Sequence, residues 1–264
     1  MRRSGAALAL GLVNALFLLF LLAPIAVVVL FAFNPANYIA IPTTEFSLRW
    51  FAKFFESRDF MAALSLSLQI ALLTVLIGTV IGTMAALAIV RGRLPGAKAL
   101  AALFLSPLML PAILTGLALF QFYVLLDVGR PFWGLLLGHV VIAIPYVIRT
   151  AIAVLQNFDR SLEEAARSLG ASEWVSFREV TLPLIRPGVM AGGIFAFIIS
   201  FDQFPLSLFL VAPGAETLPI TLFNYLKYDF DPTIAAAATV SIAVSFAVVV
   251  LLERTIGLQH YTKL

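Results

Sequence analysis

Six long apolar segments determine what this chain can fold into. Each has at least 20 residues and at most one charged side chain, and they cover residues 6–33, 62–90, 99–125, 132–156, 188–212 and 233–252. An α-helix needs about 20 apolar residues to cross the hydrocarbon core of a bilayer. Hydrophobic residues make up 62% of the chain and charged residues 12%, so a water-soluble fold would leave large apolar patches uncovered. The sequence therefore predicts an all-α integral membrane protein with six transmembrane helices, as a single domain over residues 1–264.

The first apolar segment is long enough to be a retained helix. Arg2 and Arg3 precede it, as basic residues precede the apolar part of a signal peptide. That part of a signal peptide has only about 7–15 residues, whereas this segment runs from residue 6 to residue 33. We therefore expect it to stay in the membrane.

Lysine and arginine are unevenly divided among the connections between the apolar segments. Eleven lie at the two termini or in the second and fourth connections, and five lie in the other three connections. The eleven are Arg2, Arg3, Arg91, Arg93, Lys98, Arg160, Arg167, Arg178, Arg186, Arg254 and Lys263, and the five are Arg49, Lys53, Arg58, Arg130 and Lys227. Because basic residues accumulate on the cytoplasmic side, both termini and the fourth connection are expected to face the cytoplasm.

Composition excludes several kinds of chemistry. The chain has no cysteine, which excludes disulfides, iron–sulfur clusters, thiolate zinc sites and cysteine nucleophiles. Its two histidines, His139 and His260, are too few and too far apart to indicate a metal site. The net charge of +3 comes without a basic patch with interleaved aromatic residues, so nucleic acid is not an expected partner. No G-x-x-x-x-G-K-S/T sequence occurs, so we expect no ATP site and no other cofactor on this chain.

The fourth connection contains a polar stretch, RSLEEAARSLGASEWVSFREV, over residues 160–180. Ser161 and Glu164 have the spacing of a capping box, in which each side chain bonds the other residue's backbone N–H at a helix start. Gly170 falls where the end of a helix favours a residue with positive φ. Ser172 can cap a second short helix, and the prolines of TLPLIRPG are expected to end it. The pattern predicts two short helices joined by a glycine bend.

One face of the first short helix is apolar and nearly flat. Leu162, Ala165, Ala166 and Leu169 recur at positions i, i+3, i+4 and i+7, which places them on one side of a helix. Two interpretations remain open from this pattern. The small alanine side chains suit close approach by a partner, whereas the two helices could also cap the bundle against water.

The segment EEAARSLGASEWVSFREVTLP resembles the EAA motif of ATP-binding-cassette importer permeases. That motif is Glu-Ala-Ala, three residues, Gly, nine residues, Ile, one residue and Leu-Pro. The matching residues are Glu164, Ala165, Ala166, Gly170, Leu182 and Pro183, with Val180 in place of the isoleucine. The stretches RPGVMAGGIFAFIISFDQFPLSLFL and TLPITLFNYLKYDFDPTIAAAATV are similar to the second permease of the spermidine/putrescine-type branch, and the likeness covers most of residues 45–250.

This resemblance implies a type I ABC importer permease fold, multi-pass in the bacterial inner membrane, with no catalytic residues of its own. The loop at about 157–187 would be the coupling helix, with Ser161 and Leu169 beside the motif residues. The implied partners are a cytoplasmic ATPase dimer that binds ATP and Mg, a second permease, an outer solute-binding protein and membrane lipid. The second permease could be a different chain or a copy. The implied cargo is a polyamine or a related amine-bearing solute.

Asp202 is the acidic residue that lies deepest in a predicted span, near the centre of the fifth. Asp at a helix centre costs about 2.5–3.5 kcal/mol, which indicates a task or a partner. Pro205 supplies no N–H to the Phe201 carbonyl, and Gln203 and Gln121 add further polar groups. This set would suit a cationic solute in the substrate pathway. A structural bond from Asp202 to another helix or subunit is the alternative.

Two segments are expected to depart from plain spans. Pro107 and Pro111 should bend the third one. In the first outer connection, PTTEFSLRWFAKFFESRDF, apolar residues recur at helical spacing. They are Leu48, Phe51, Phe54 and Phe55. We expect a short outer helix packed on the bundle, the alternative being one that lies at the membrane interface.

Helix–helix contacts are indicated by two kinds of residue. Gly188, Gly192 and Ala196 form a small-xxx-small seam along which another helix can approach closely. The partner could be internal or belong to another subunit. His139, within the fourth span, is expected to form a hydrogen bond to a neighbouring helix.

Two other functions are alternatives to the importer permease. An ion-coupled secondary transporter could use Asp202 as a proton or sodium relay, but it leaves the EAA-like loop unexplained. An intramembrane hydrolase would need a second carboxylate, a nucleophile or a metal triad beside Asp202 and His139. The sequence does not offer one.

Overall fold

The structure is a computed structural model that describes residues 5–41, 45–92, 94–129, 132–229 and 231–256. Within these ranges the regular structure is helical apart from one isolated β-bridge between Ala212 and Ala215. Several residues used above for orientation or metal chemistry lie outside the described ranges: Arg2, Arg3, Arg93, Arg130, His260 and Lys263.

The helices follow the apolar segments closely. The first six are α1 (Gly5–Phe31), α2 (Arg49–Glu56), α3 (Arg58–Val90), α4 (Ala97–Leu105), α5 (Ala112–Leu125) and α6 (Phe132–Asn157). The remainder are α7 (Ser161–Ser168), α8 (Glu173–Ser176), α9 (Leu182–Phe201), α10 (Ser207–Leu210), α11 (Leu218–Tyr228) and α12 (Thr233–Ile256). A 3₁₀ turn over Ser106–Met109 follows α4, and a π-helical turn over Phe177–Thr181 joins α8 to α9.

Among the described residues, five helices are long and apolar enough to cross a membrane, or up to six if the bent pair α4 and α5 forms one span. The all-α membrane fold is therefore confirmed. The third span is broken more sharply than a bent helix, because Ala97–Met109 and Ala112–Leu125 meet at 105°. Pro107 lies in the 3₁₀ turn and Pro111 is the N-cap of α5, where a proline cannot continue the preceding hydrogen-bond ladder.

The fifth predicted span is shorter than its sequence pattern. Its helix, α9, ends at Phe201 and not near residue 212. Pro205 has no N–H for the Phe201 carbonyl, and the residue before a proline is driven away from helical backbone angles. The chain resumes as the short helix α10 and then turns at Gly214, which has φ +77°.

Contacts group the chain into two compact units, and each is described by itself. The first contains the described residues within 5–61 and 221–244, and the second contains those within 62–220 and 245–256. The expectation of one permease domain over the whole chain stays a prediction.

In the first unit the outer helix α2 packs on its neighbours, as expected. Trp50 and Phe54 are buried, and the Trp50 Nε1–H donates to the Asn34 carbonyl at 2.6 Å. The predicted apolar face is only partly correct, since Leu48 is 66% and Phe55 52% exposed. The Trp50 side chain takes their place because its ring packs with buried Ala32, Ala235 and Ala236 while its N–H finds an acceptor.

In the second unit α6 and α9 cross along the predicted seam. A Cβ atom at Gly188 would lie 2.7 Å from the Thr150 carbonyl oxygen, and one at Gly192 would lie 2.7 Å from the Val147 Cα atom. Ala196 is fully buried and packs in the same cluster as Val147. The seam's partner is therefore internal, because α6 already occupies it.

His139 on α6 joins the two sides of the break after α9. Its Nδ1 lies 2.8 Å from Ser200 Oγ on α9, and its Nε2 lies 3.0 Å from Ser207 Oγ on α10. Ser207 already donates to the Gln203 carbonyl at 2.6 Å, so Nε2–H is the donor in that pair and Nδ1 is left as an acceptor. Ser200 Oγ also lies 3.3 Å from Thr74 Oγ1 on α3. The expected interhelical bond is confirmed, and this fully buried group fixes the geometry next to Asp202.

Candidate coupling loop and substrate pathway

The helix α7 starts without the predicted capping box. Its first residue is Ser161, and the side chain of the N-cap residue, Arg160, accepts no helix N–H. Asp159 Oδ1 instead accepts the Ser161 N–H at 2.9 Å. Hydrogen bonds from the backbone and the side chain of Ser161 hold the pKa of the Asp159 carboxyl below its ordinary value. An aspartate two residues upstream competes for the same N–H by forming a local turn. Glu164 is consequently free to point outward, 3.7 Å from Arg160 Nε.

The end of α7 has the predicted geometry. Gly170 has φ +90°, a left-handed conformation that costs little only for glycine. Its N–H donates to the Arg167 carbonyl at 2.9 Å, and the Ala171 N–H donates to the Ala166 carbonyl at 3.1 Å. These two bonds form a Schellman motif, so the bend after α7 is an ordered turn.

The second short helix begins as predicted and ends differently. Ser172 Oγ accepts the Val175 N–H at 3.3 Å, which confirms the cap. The helix does not stop at the prolines, since α8, the π-helical turn and α9 run on as one span-length segment, Glu173–Phe201. Pro183 lies in the first turn of α9, where no N–H is required. The Leu182 N–H reaches back to the Phe177 carbonyl, and this π-type bond shifts the ladder ahead of the proline.

Most of the predicted coupling residues lie on the exposed side of this loop. Leu169 is 90% exposed and Trp174 is 66% exposed, although both belong to ordered, capped structure. Ser161, Glu164, Ala165, Gly170, Leu182 and Pro183 are exposed, and Ala166 is half-buried. An ordered loop that presents large apolar side chains outward is typical of a docking surface.

A carboxylate that the sequence pattern did not predict as a site residue is buried beneath this surface. Glu163 is only 8% exposed. Its Oε1 accepts a hydrogen bond from Thr181 Oγ1 at 2.8 Å, and its Oε2 lies 3.3 Å from Arg91 Nε. Helical periodicity could have shown that Glu163 lies off the apolar face of α7. No nearby residue, however, indicates that Arg91, just after α3, lies next to the Glu163 carboxylate.

The sequence predicted Asp202 near the centre of a membrane helix, and this prediction is wrong. Asp202 is the C-cap of α9, with its N–H bonded to the Ile198 carbonyl at 3.2 Å, and its side chain is exposed in this chain. The last carbonyls of a helix have partial negative charge. A carboxylate at the same point increases that charge, so this end of α9 favours a cation.

The other two pathway candidates occupy different surroundings. Gln203 is buried, and its Nε2 has no hydrogen-bond partner among the described residues. Gln121 is exposed on α5, and no hydrogen bond joins it to Asp202 or Gln203 in the described part of the chain. α5 does approach this region closely, because a Cβ atom at Gly116 would lie 2.8 Å from the Leu206 carbonyl oxygen. The described residues include no group of three or more His, Cys, Asp or Glu side chains able to hold a metal ion.

A family model with the description "Binding-protein-dependent transport system inner membrane component" matches residues 78–257, which include the whole loop and both sides of the α9 break. The chain belongs to this permease family. It is thus a multi-pass inner membrane permease subunit of a binding-protein-dependent ABC importer, and not itself an ATPase. The family implies that an ATPase and a periplasmic binding protein complete the importer.

Individual relatives agree with this assignment. The chain is 33% identical over 232 residues to the spermidine/putrescine transport system permease protein PotC of Haemophilus influenzae, covering 88% of this chain and 90% of that one. It is 34% identical over 227 residues to the putrescine transport system permease protein PotI of Escherichia coli (strain K12), covering 83% and 80%. A subunit of a bacterial alginate ABC transporter, crystallised with a pentasaccharide-bound periplasmic protein, has the same fold with a TM-score of 0.72. It is 16% identical, and the match covers 93% of this chain and 91% of that one.

Proposed function

We propose that this permease forms half of a pathway for a polyamine or a related small amine-bearing solute. A second permease, a different chain or a copy, forms the other half. A cytoplasmic ATPase dimer, which binds the ATP and Mg, docks on the loop from Ser161 to Pro183. The observation that carries the proposal is the exposed apolar surface of Leu169 and Trp174 on a loop whose bend at Gly170 is hydrogen-bonded and whose second helix is capped by Ser172.

The loop's construction supports docking over simple capping of the bundle. A helix pair that only shielded the bundle would turn its apolar side chains inward. Here the buried side chains on this loop are polar, while Leu162, Leu169 and Trp174 face outward. The buried ones are Glu163, Ser176 and Thr181. The bend at Gly170 has open space around it, with no atom within 4 Å of a built Cβ. A partner therefore has room to approach there.

An amine cargo is supported by two independent observations. The relatives named above have spermidine or putrescine in their names. Separately, the end of α9 combines the Asp202 carboxylate with helix C-terminal carbonyls, a set that stabilises positive charge.

Docking can be tested by replacing Gly170 with aspartate in the tagged chain. The substitution forces a side chain into positive φ and adds charge to the surface. We expect the ATPase to be lost from a mild-detergent pull-down and uptake to stop, with membrane insertion unchanged. Gly96→Asp is the matched control, because Gly96 has φ +82°, open surroundings and a place in another predicted cytoplasmic connection.

Cargo is tested in the same cells by uptake of radiolabelled putrescine and spermidine, with and without the chain. Uptake that requires the chain supports the proposal, whereas uptake equal in both strains would refute an amine cargo. If the Gly170 variant transports normally, or if the wild-type chain purifies without an ATPase and still transports in liposomes, the docking assignment is wrong.

A further inference from the structure

We propose that Arg91 and Glu163 are positioning residues that connect the coupling loop to α3, so that one movement of the loop displaces both α3 and α9. The inference rests on the proposed docking of an ATPase on this loop. It adds a specific mechanical connection, the Arg91–Glu163–Thr181 bridge, which consists of these three side chains.

Glu163 divides its two carboxylate oxygens between two membrane helices. Oε1 accepts the hydrogen bond from Thr181, in the π-helical turn directly before α9. Oε2 faces Arg91, one residue after the end of α3. The Glu163 carbonyl also lies 3.4 Å from Ser176 Oγ, which ties α7 to α8. A single side chain of α7 thus contacts the cytoplasmic ends of two spans.

Arg91 contacts both α3 and the start of the loop, and its Nε pairs with Glu163 by charge, without a hydrogen bond among the described residues. Its own N–H donates to the Leu87 carbonyl at 2.8 Å, so its backbone still belongs to the hydrogen-bond ladder of α3. Its guanidinium contacts the start of the loop as well, with Nη2 3.4 Å from the Phe158 carbonyl and the Cζ atom 5.2 Å from the centre of the Phe158 ring. Gly92 allows the tight exit that follows, because a Cβ there would lie 2.3 Å from the Ala88 carbonyl oxygen.

Burial distinguishes this pair from the other ion pairs of the loop. The Arg91 and Glu163 side chains are 20% and 10% exposed. In Arg160–Glu164 and Arg167–Glu173 every side chain is 49% exposed or more. An exposed pair is screened by water and exchanges partners readily, whereas breaking a buried pair leaves a charge without compensation. The buried pair therefore has to move as one body when the loop moves.

The test uses the full complex of both permeases, the ATPase and the binding protein in liposomes. Two quantities are measured, putrescine taken up and ATP hydrolysed. Glu163→Gln keeps an oxygen for Thr181 and removes the charge that faces Arg91. We expect this variant to retain the ATPase in pull-downs and to hydrolyse ATP, while uptake per ATP falls about tenfold, equivalent to about 1.4 kcal/mol of coupling. Glu253→Gln, an exposed carboxylate on α12 outside the loop, is the matched control and should leave the ratio unchanged.

The double variant Arg91→Met with Glu163→Gln, which keeps an oxygen for Thr181, separates a positioning role from a structural one. It leaves no buried charge unpaired, so a merely structural pair would be replaced without harm. We expect the double variant to assemble with a wild-type Tm and to remain uncoupled. Recovery of normal uptake per ATP in the double variant, or a normal ratio in Glu163→Gln, would overturn the inference alone. Loss of the ATPase from the wild-type chain would instead refute the docking on which it rests.

Discussion

The close crossing of α6 and α9 in the second unit makes Gly192→Ala an informative stability variant. The added Cβ would lie 2.6 Å from Thr150 Oγ1 and 2.7 Å from Val147 Cα, where ordinary contact begins at 3.4 Å. The hydroxyl can rotate away, but the Cα atom belongs to the backbone of α6 and cannot. The two helices must therefore separate locally.

The expected net effect combines two terms of opposite sign. Overpacking of a well-packed contact costs about 1–3 kcal/mol, and the upper half of this range applies because backbone is displaced. Replacing glycine by alanine within a helix returns about 1 kcal/mol. We expect a net loss of about 1–2 kcal/mol, and a Tm lower by about 2–4 °C for a chain of this size.

The chain supplies its own controls for this measurement. A Cβ at Gly193 would meet only the Thr79 side chain at 3.2 Å and the Val75 side chain at 3.6 Å, and a Cβ at Gly78 would meet nothing within 4 Å. Gly193→Ala should be close to neutral, and Gly78→Ala should raise the Tm slightly through helix propensity alone.

The assay is thermal unfolding of the purified variants in one detergent, followed by circular dichroism at constant protein concentration. The predicted order of Tm is Gly78→Ala highest and Gly192→Ala lowest. If Gly192→Ala unfolds at or above the wild-type temperature while the complex stays assembled, the close α6–α9 contact does not limit stability and the reasoning is wrong.

Two further predictions concern charged groups. Asp202→Asn should raise the KM for putrescine about tenfold, because it removes a charge-assisted contact worth about 1.5 kcal/mol. The control Asp127→Asn, at an exposed site, should leave the KM unchanged. An unchanged KM in Asp202→Asn, together with a complex that dissociates in detergent, would mean that Asp202 is structural. Hydrogen bonding to Asp231 raises the pKa of Lys53 above 10.5. Burial by itself would raise the pKa of Asp231, but hydrogen bonds, the strongest from Lys53, lower it below 3.8. The Tm difference between wild type and Lys53→Met should therefore be constant at intermediate pH and shrink both below pH 3.8 and above pH 10.5. The pair contributes at most about 1 kcal/mol to stability, because the Lys53 side chain is half exposed. A Tm difference independent of pH would contradict this prediction.

Local chemistry explains why parts of the loop could be predicted from sequence. The conformation of Gly170 and the cap at Ser172 depend on neighbours within a few residues, so their spacing contains the information. The capping box at Ser161 failed for an equally local reason. Asp159 lies two residues upstream and competes for the same backbone N–H.

The effect of proline on helix ends is the feature that the sequence predicts least well. The prolines after the loop were expected to end a helix, yet α9 begins there because a first turn needs no N–H from Pro183. The predicted fifth span continues past Pro205 to residue 212, yet α9 ends at Phe201. Whether a proline starts, bends or ends a helix depends on what the freed carbonyls meet, and that is not a property of the sequence nearby.

The sequence by itself determined the all-α membrane fold, because 20-residue apolar segments leave few alternatives in water or lipid, and it determined the family through the spacing of the Glu164 to Pro183 motif. Only the tertiary structure decided which surfaces meet. It placed α6 in the glycine seam and brought Arg91 to Glu163. These contacts join residues far apart in the chain, and their energies depend on burial and distance, which exist only once the helices have packed.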